Sequence, residues 1–375
     1  MKHVGSARRK AKQYARLSSR NSRADYQLLE PRQLLATFVV DISIDDGGTV
    51  NDGRISLREA VIAANTNAPF GDAPAGDAGN DQIIFAPWLN DKTISLNGDA
   101  LPVTEALEVR GFDVNITLDV AEAAAIFEID TLDQVVFSDV NFTSLIDGGN
   151  TGITMAGGGT LRLTETVFTE FGALFEGGKA VDVTDSSLRV LRSTFTDNHG
   201  FRGGAIRATN SDVNIIGSTF NGNYAESLGG ALFLDGGNHL ISNSDFHGNI
   251  ADEPVFGGGA GGAILVRTES GEATVRIFGG VIDNNRSAAG GAISNSGNLI
   301  IRGGTVLSNN RALGFHSNSG PVNARGGAIQ NFGTLTMVDA VIESNSGHFG
   351  GGVYTSNGPA TFSRVQFTGN SATQT

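Results

Sequence analysis

A 21-residue phrase recurs in the second half of this chain, and a repeat of that length limits the possible folds more than any other feature. GGAIRATNSDVNIIGSTFNGN at 203–223 is followed by GGALFLDGGNHLISNSDFHGN at 229–249. The Gly-Gly opening returns at Gly203, Gly229, Gly261, Gly290 and Gly326, and as GGGV at Gly350. The closing Phe-x-x-Asn returns as Phe195/Asn198, Phe220/Asn223, Phe246/Asn249 and Phe367/Asn370, with aliphatic versions at Ile282/Asn285, Val306/Asn309 and Ile342/Asn345. Phe142 and Phe168 are forerunners without the Asn. From Gly-Gly to the Phe position takes 16 or 17 residues in five copies and 21 in one. From Asn to the next Gly-Gly takes 5 or 6 residues in four gaps, but 12 after Asn249 and 17 after Asn309. One side of the unit is fixed, and insertions collect at a single junction.

A period near 25 residues is too short for a two-helix repeat. The texture inside each unit is that of strands: DVNIIGSTF, NLIIRGGTV and GTLTMVDAVI alternate or run in Val, Ile, Thr and Phe. Gly and Asn, which tolerate a left-handed backbone, punctuate at constant places. The economical solution is one coil per repeat, each strand pairing with its counterpart in the coils above and below, about 4.8 Å away. Phe then stacks on Phe in the interior, and Asn on Asn at a corner where amides can bond from coil to coil. The expected fold is an all-β, right-handed parallel β-helix over residues 99–375, with ten to eleven coils; the hand follows from the chirality of parallel crossovers.

Two different segments precede it. In GRISLREAVIAANTNA at 53–68, Ser56 and Glu59 form a capping box and Leu57, Ala60, Val61 and Ala64 share one face. An amphipathic helix there is expected to cap the exposed end of the first coil within a region spanning 38–98. Residues 1–35 hold nine Lys/Arg and two acids, whereas the remaining 340 hold 17 and 37, so a basic arm precedes an acidic body. That arm, taken as 1–37, is expected to be a disordered targeting tail.

The GGA[ILV]…FxxN pattern resembles the repeats of the chlamydial polymorphic outer membrane proteins over roughly 140–375. SLREA at 56–60 is similar to a motif at the start of many bacterial β-helix proteins, with Ile55 where a Cys is usual. LLEPRQLLA at 28–36 resembles the LEPR-type motif of exported planctomycete proteins. Together these resemblances imply export, a place at the cell outer membrane, cell surface or outside the cell, and an adhesive or structural role. The resembling surface proteins end in a membrane barrel, and no barrel strands follow Asn370 here. The uncapped C-terminal coil is a candidate for end-to-end self-association.

Composition excludes some chemistry. Cysteine is absent, so no thiolate metal site or Cys nucleophile exists. No apolar run is long enough for a transmembrane helix, and the acidic body argues against nucleic acid. No cofactor motif occurs. The turn around Asp41, Asp45, Asp46 and Asp52 offers oxygen ligands for calcium, without EF-hand spacing. No phased carboxylate cluster or lysine base is seen after residue 200; a polysaccharide lyase or glycoside hydrolase remains the alternative.

The variable junction carries His199, Phe201, Arg202, Tyr224, Arg286, Arg311, Phe315, His316, Arg325, His348 and Phe349. Because it recurs once per coil, these residues are expected to project from one edge, as aromatic and Arg anchors for a surface glycan or protein ligand.

Overall fold

The computed structural model describes residues 35–372 apart from 46–50, 113, 121–124, 145–149, 174–177, 253–257, 318–319 and 323, and at Val120, 315–317 and 320–322 the backbone alone. The basic tail and its LEPR-type motif lie almost wholly outside the described residues.

The chain forms a parallel β-helix with four faces. A long face of 12 strands runs from Thr37–Val40 to Ala360–Ser363, and an 11-stranded phenylalanine face from Lys92–Leu96 to Gln366–Thr368. A 10-stranded glycine face, entered through each Gly-Gly, runs from Leu101–Val103 to Val353–Thr355. A seven-stranded edge sheet runs from His199–Arg202 to Ser371–Ala372. In each of these sheets neighbouring strands pair in parallel, one coil apart.

The β-helix begins earlier than residue 99. Thr37–Val40 pairs in parallel with Asp81–Phe85, which pairs with Leu107–Arg110. TFVV and DQIIF bury alternate side chains, so they close the first coils themselves. The region 38–98 is therefore part of the solenoid, with a helix inserted between its first two strands. That helix, Leu57–Thr66, has the anticipated capping box, and Leu57, Ala60, Val61 and Ala64 are buried against the first strands.

The interior explains the repeat. Phe142, Phe168, Phe195, Phe220 and Phe246 stack one per coil, with ring centroids 4.4–5.0 Å apart and planes within 4°. All five are fully buried, each stabilising by roughly 1.5–3 kcal/mol. Ile282, Leu307 and Ile342 continue the column. Beside it runs an unbroken amide ladder of Asn198, Asn223, Asn249, Asn285, Asn310, Asn345 and Asn370. Each side-chain NH2 from Asn198 to Asn345 donates to the next Oδ1 at 2.8–3.0 Å and to the carbonyl of the apolar column one coil back, as Asn223 does to Phe195.

One register differs from expectation. The aliphatic pair is Leu307/Asn310, not Val306/Asn309: Leu307 points inward and Asn309 is the left-handed residue (φ 54°) before the ladder. A left-handed residue precedes each ladder Asn, including Asp197 (φ 52°), Gly222 (φ 63°) and Asn284 (φ 56°). It turns the chain so that the amide faces inward.

The two glycines do different jobs. Gly261 has φ 66°, a conformation L side chains rarely adopt. A Cβ on Gly262 would lie 2.1 Å from the Gly291 carbonyl oxygen of the next coil. Turn geometry demands the first glycine and coil-to-coil contact the second.

Candidate ligand-binding edge

The junction between Asn and Gly-Gly is a β-sheet in its own right. His199, Tyr224, Ile250, Arg286, Arg311, Ser346 and Ser371 stand in one register column. The next column is Gly200, Ala225, Ala251, Ser287, Ala312, Gly347 and Ala372. From Gly200 through Gly347 these small residues are buried, where the backbone turns tightly toward Gly-Gly. The alternation leaves the first column to face outward.

Four of the anticipated residues, His199, Tyr224, Arg286 and Arg311, are thus brought together. Ile250 between them was missed, being neither charged nor aromatic. The His199 and Tyr224 rings lie 4.6 Å apart, and His199 Nε2 is 3.4 Å from Oε1 of the buried Glu226. Burial holds the His199 imidazole below its ordinary range, against the opposing pull of Glu226. The Tyr224 hydroxyl donates to the Asp252 carbonyl at 2.8 Å. Burial, assisted by Asp252 and Glu226, raises that phenol. Arg286 lies 3.8 Å from Asp252, an exposed pair that contributes little. Arg286 and Arg311 are exposed register partners, and Arg311 has no ion pair among the described residues.

The remaining predicted residues divide. The Arg202 guanidinium lies over both Phe201, at 5.7 Å, and Phe233, at 5.6 Å, so it closes the passage to the glycine face and does not project freely. Arg325 forms an isolated parallel bridge with Phe349 and sits 5.3 Å over the Tyr354 ring. His348 Nδ1 accepts from the Ala324 backbone at 3.4 Å. Phe315 and His316 lie in a short antiparallel hairpin, Phe315–Ser317 with Gly320–Val322, whose side chains are outside the described residues.

One of the candidate calcium ligands, Asp45, is engaged within the fold. Arg58 grips both carboxylate oxygens of Asp45, at 2.8 and 2.7 Å, and that bond raises the Arg58 pKa. Asp41 accepts from the Ile55 backbone and Asp52 from that of Arg54. Asp46 lies outside the described residues, and among the described ones no cluster of three potential ligands occurs. No helix among the described residues is long and apolar enough to cross a membrane.

Compared with known protein families, with curated proteins and with solved structures, the chain matches none.

Proposed function

We propose that the protein is an exported, non-enzymatic β-helix acting at the cell surface or outside the cell, whose edge binds a carboxylated glycan or an acidic protein patch. The observation that carries this reading is the outward column of Arg286 and Arg311, two guanidiniums one coil apart on an acidic body. Like charges directly opposed repel, and a ligand carboxylate relieves that repulsion with charge-assisted bonds. The combined variant Arg286→Ala, Arg311→Ala and Arg325→Ala tests it. Retention on cells or acidic polymer is expected to fall at least tenfold, with the β-sheet circular dichroism and melting temperature nearly unchanged. Unaltered retention by the folded variant refutes the edge. Deleting residues 1–35 is expected to leave the body folded but unexported.

A second reading, a carbohydrate-active enzyme, is favoured by one arrangement: an imidazole beside a buried carboxylate and a phenol, from neighbouring coils. Such a trio suits proton transfer. New reducing ends or unsaturated sugars formed from uronate polymers, and lost on His199→Ala, identify it; their absence leaves the binding reading in place.

A further inference from the structure

A second site lies on the long face, away from the edge. Its central outward column reads Arg162, Arg189, Asn214, Leu240 and Arg276 in successive coils. The three arginines are exposed, whereas the shorter Asn214 and Leu240 are half-buried between them. The result is a trough of about 280 Å³, floored by Asn214 and Leu240 and closed at its ends by Arg189 and Arg276.

Three features of this trough call for a ligand. Arg189, at one end of the trough, has Arg162 of the coil beyond as its direct cross-strand partner, an arrangement of like charges that costs stability. Among the described residues, none of the three arginines has an ion pair; Arg162 Nε reaches only the Thr164 hydroxyl, at 3.3 Å. Asp212, on the wall, accepts from the Asn238 backbone at 2.7 Å and forms no ion pair with these arginines. Finally, Asn214 lines the trough between the charges, and its Oδ1, buried beneath the surface of the floor, has no hydrogen-bond partner. A buried acceptor left unpaired is costly, and a ligand hydroxyl satisfies it.

We infer that this trough binds a linear oligosaccharide of uronic acids lying along the solenoid axis. Coils advance by about 4.8 Å, close to the length of one pyranose unit in an extended chain, so successive sugars meet successive coils. Carboxylates at the two ends pair with Arg189 and Arg276 in fork geometry. A sugar hydroxyl donates to Asn214, and the apolar face of a pyranose ring rests on Leu240. Of the residues lining the trough only His239 carries a ring, and that ring is buried in the interior, so the trough offers no aromatic platform for stacking bases.

Isothermal titration of the full chain with tetra- and hexamers of galacturonate and mannuronate tests the proposal, with a neutral oligosaccharide and poly-glutamate as controls. At least one oligouronate is expected to bind, with affinity falling more than tenfold in Arg189→Ala/Arg276→Ala and in Asn214→Leu, which fills the floor. Arg286→Ala/Arg311→Ala removes any oligouronate held at the edge and is expected to leave intact the component of binding that the trough variants abolish. Failure of that edge variant to alter retention on cells tells against the proposed function and leaves the trough intact. Four results overturn the trough: no binding of either oligouronate at millimolar concentration, equal binding of poly-glutamate, loss only in the edge variant, or no loss in the folded trough variants.

Discussion

The coils through Phe246 and those from Ile282 onward solve the same packing problem with different interiors. The earlier half stacks phenylalanines and adds a hydroxyl ladder at the neighbouring corner, where Thr166, Ser193, Ser218 and Ser244 bond from coil to coil. The later half substitutes Ile282, Leu307 and Ile342, and its corner residues are Gly280, Thr305 and Ala340. It places its extra polar ladder elsewhere, under the glycine face: Asn295 donates to Asn331 at 2.6 Å and Asn331 to Thr355 at 3.0 Å. In the earlier coils the same column is Val183, Ala208 and Leu234, and in the coil of Ile282 it is still Val266. Only the corner Asn ladder runs through both. Apolar columns need to fill volume, which several side chains can do; each corner Asn must satisfy backbone groups and the next amide, which only its own geometry does.

That contrast makes the Asn column the most sensitive place in either half. Asn223→Ala strips partners from the Asn198 backbone N–H and side-chain amide and from the Phe195 carbonyl. A loss of about 4 kcal/mol is expected from three groups left unsatisfied. Asn310→Ala in the aliphatic half is expected to cost the same, measured by denaturant unfolding. A much smaller cost there would mean that the ladder matters only beneath phenylalanines.

The halves also differ in acid. His239 sits in the interior column between Val213 and Val275. Its ring is buried and donates only to the Gly236 carbonyl at 2.9 Å, and burial lowers its pKa to about 4. The folded value lies below the unfolded one, near 6.5. Stability is therefore complete above pH 6.5 and falls as the pH drops from there to about 4, by about 3 kcal/mol. His239→Val is expected to remove this part of the acid sensitivity. Hydrogen exchange at pH 4.5 is expected to open the coils around 213–275 first; uniform opening of both halves would place the acid lability elsewhere.

Smaller effects separate volume from stacking. Phe220→Leu copies the later half and is expected to cost about 1.5 kcal/mol, a volume change that neighbours largely absorb. A cost near that of truncation to Ala would show that ring stacking itself matters. Smallest is Ser56→Ala, which removes the helix cap outside both halves. A loss of about 1 kcal/mol is expected, with exchange in the later coils unaltered.

Much of this was legible from residue spacing. A strand repeats every two residues and a coil every 25 or so, so Phe195, Phe220 and Phe246 had to stack once a coil was assumed, and the helix face at Leu57 to Ala64 followed from 3.6-residue spacing. Adjacent candidates defeated the same logic at Asn309 and Asn310, because a one-residue slip exchanges the two faces of a strand and either Asn satisfied the pattern. At the edge, spacing placed His199, Tyr224, Arg286 and Arg311 on one side, but not Arg202 between two phenyl rings, since Phe233 comes from the next coil. The long-face trough was half visible. Arg162, Arg189, Asn214, Leu240 and Arg276 each stand six residues before a member of the Phe column. Periodicity assigns a residue to a column. Whether that column is a ridge or a trough depends on the relative lengths of its neighbours in other coils, and on which charges find partners there. Those are properties of contacts between residues some 25 apart, and they exist only once the coils are stacked.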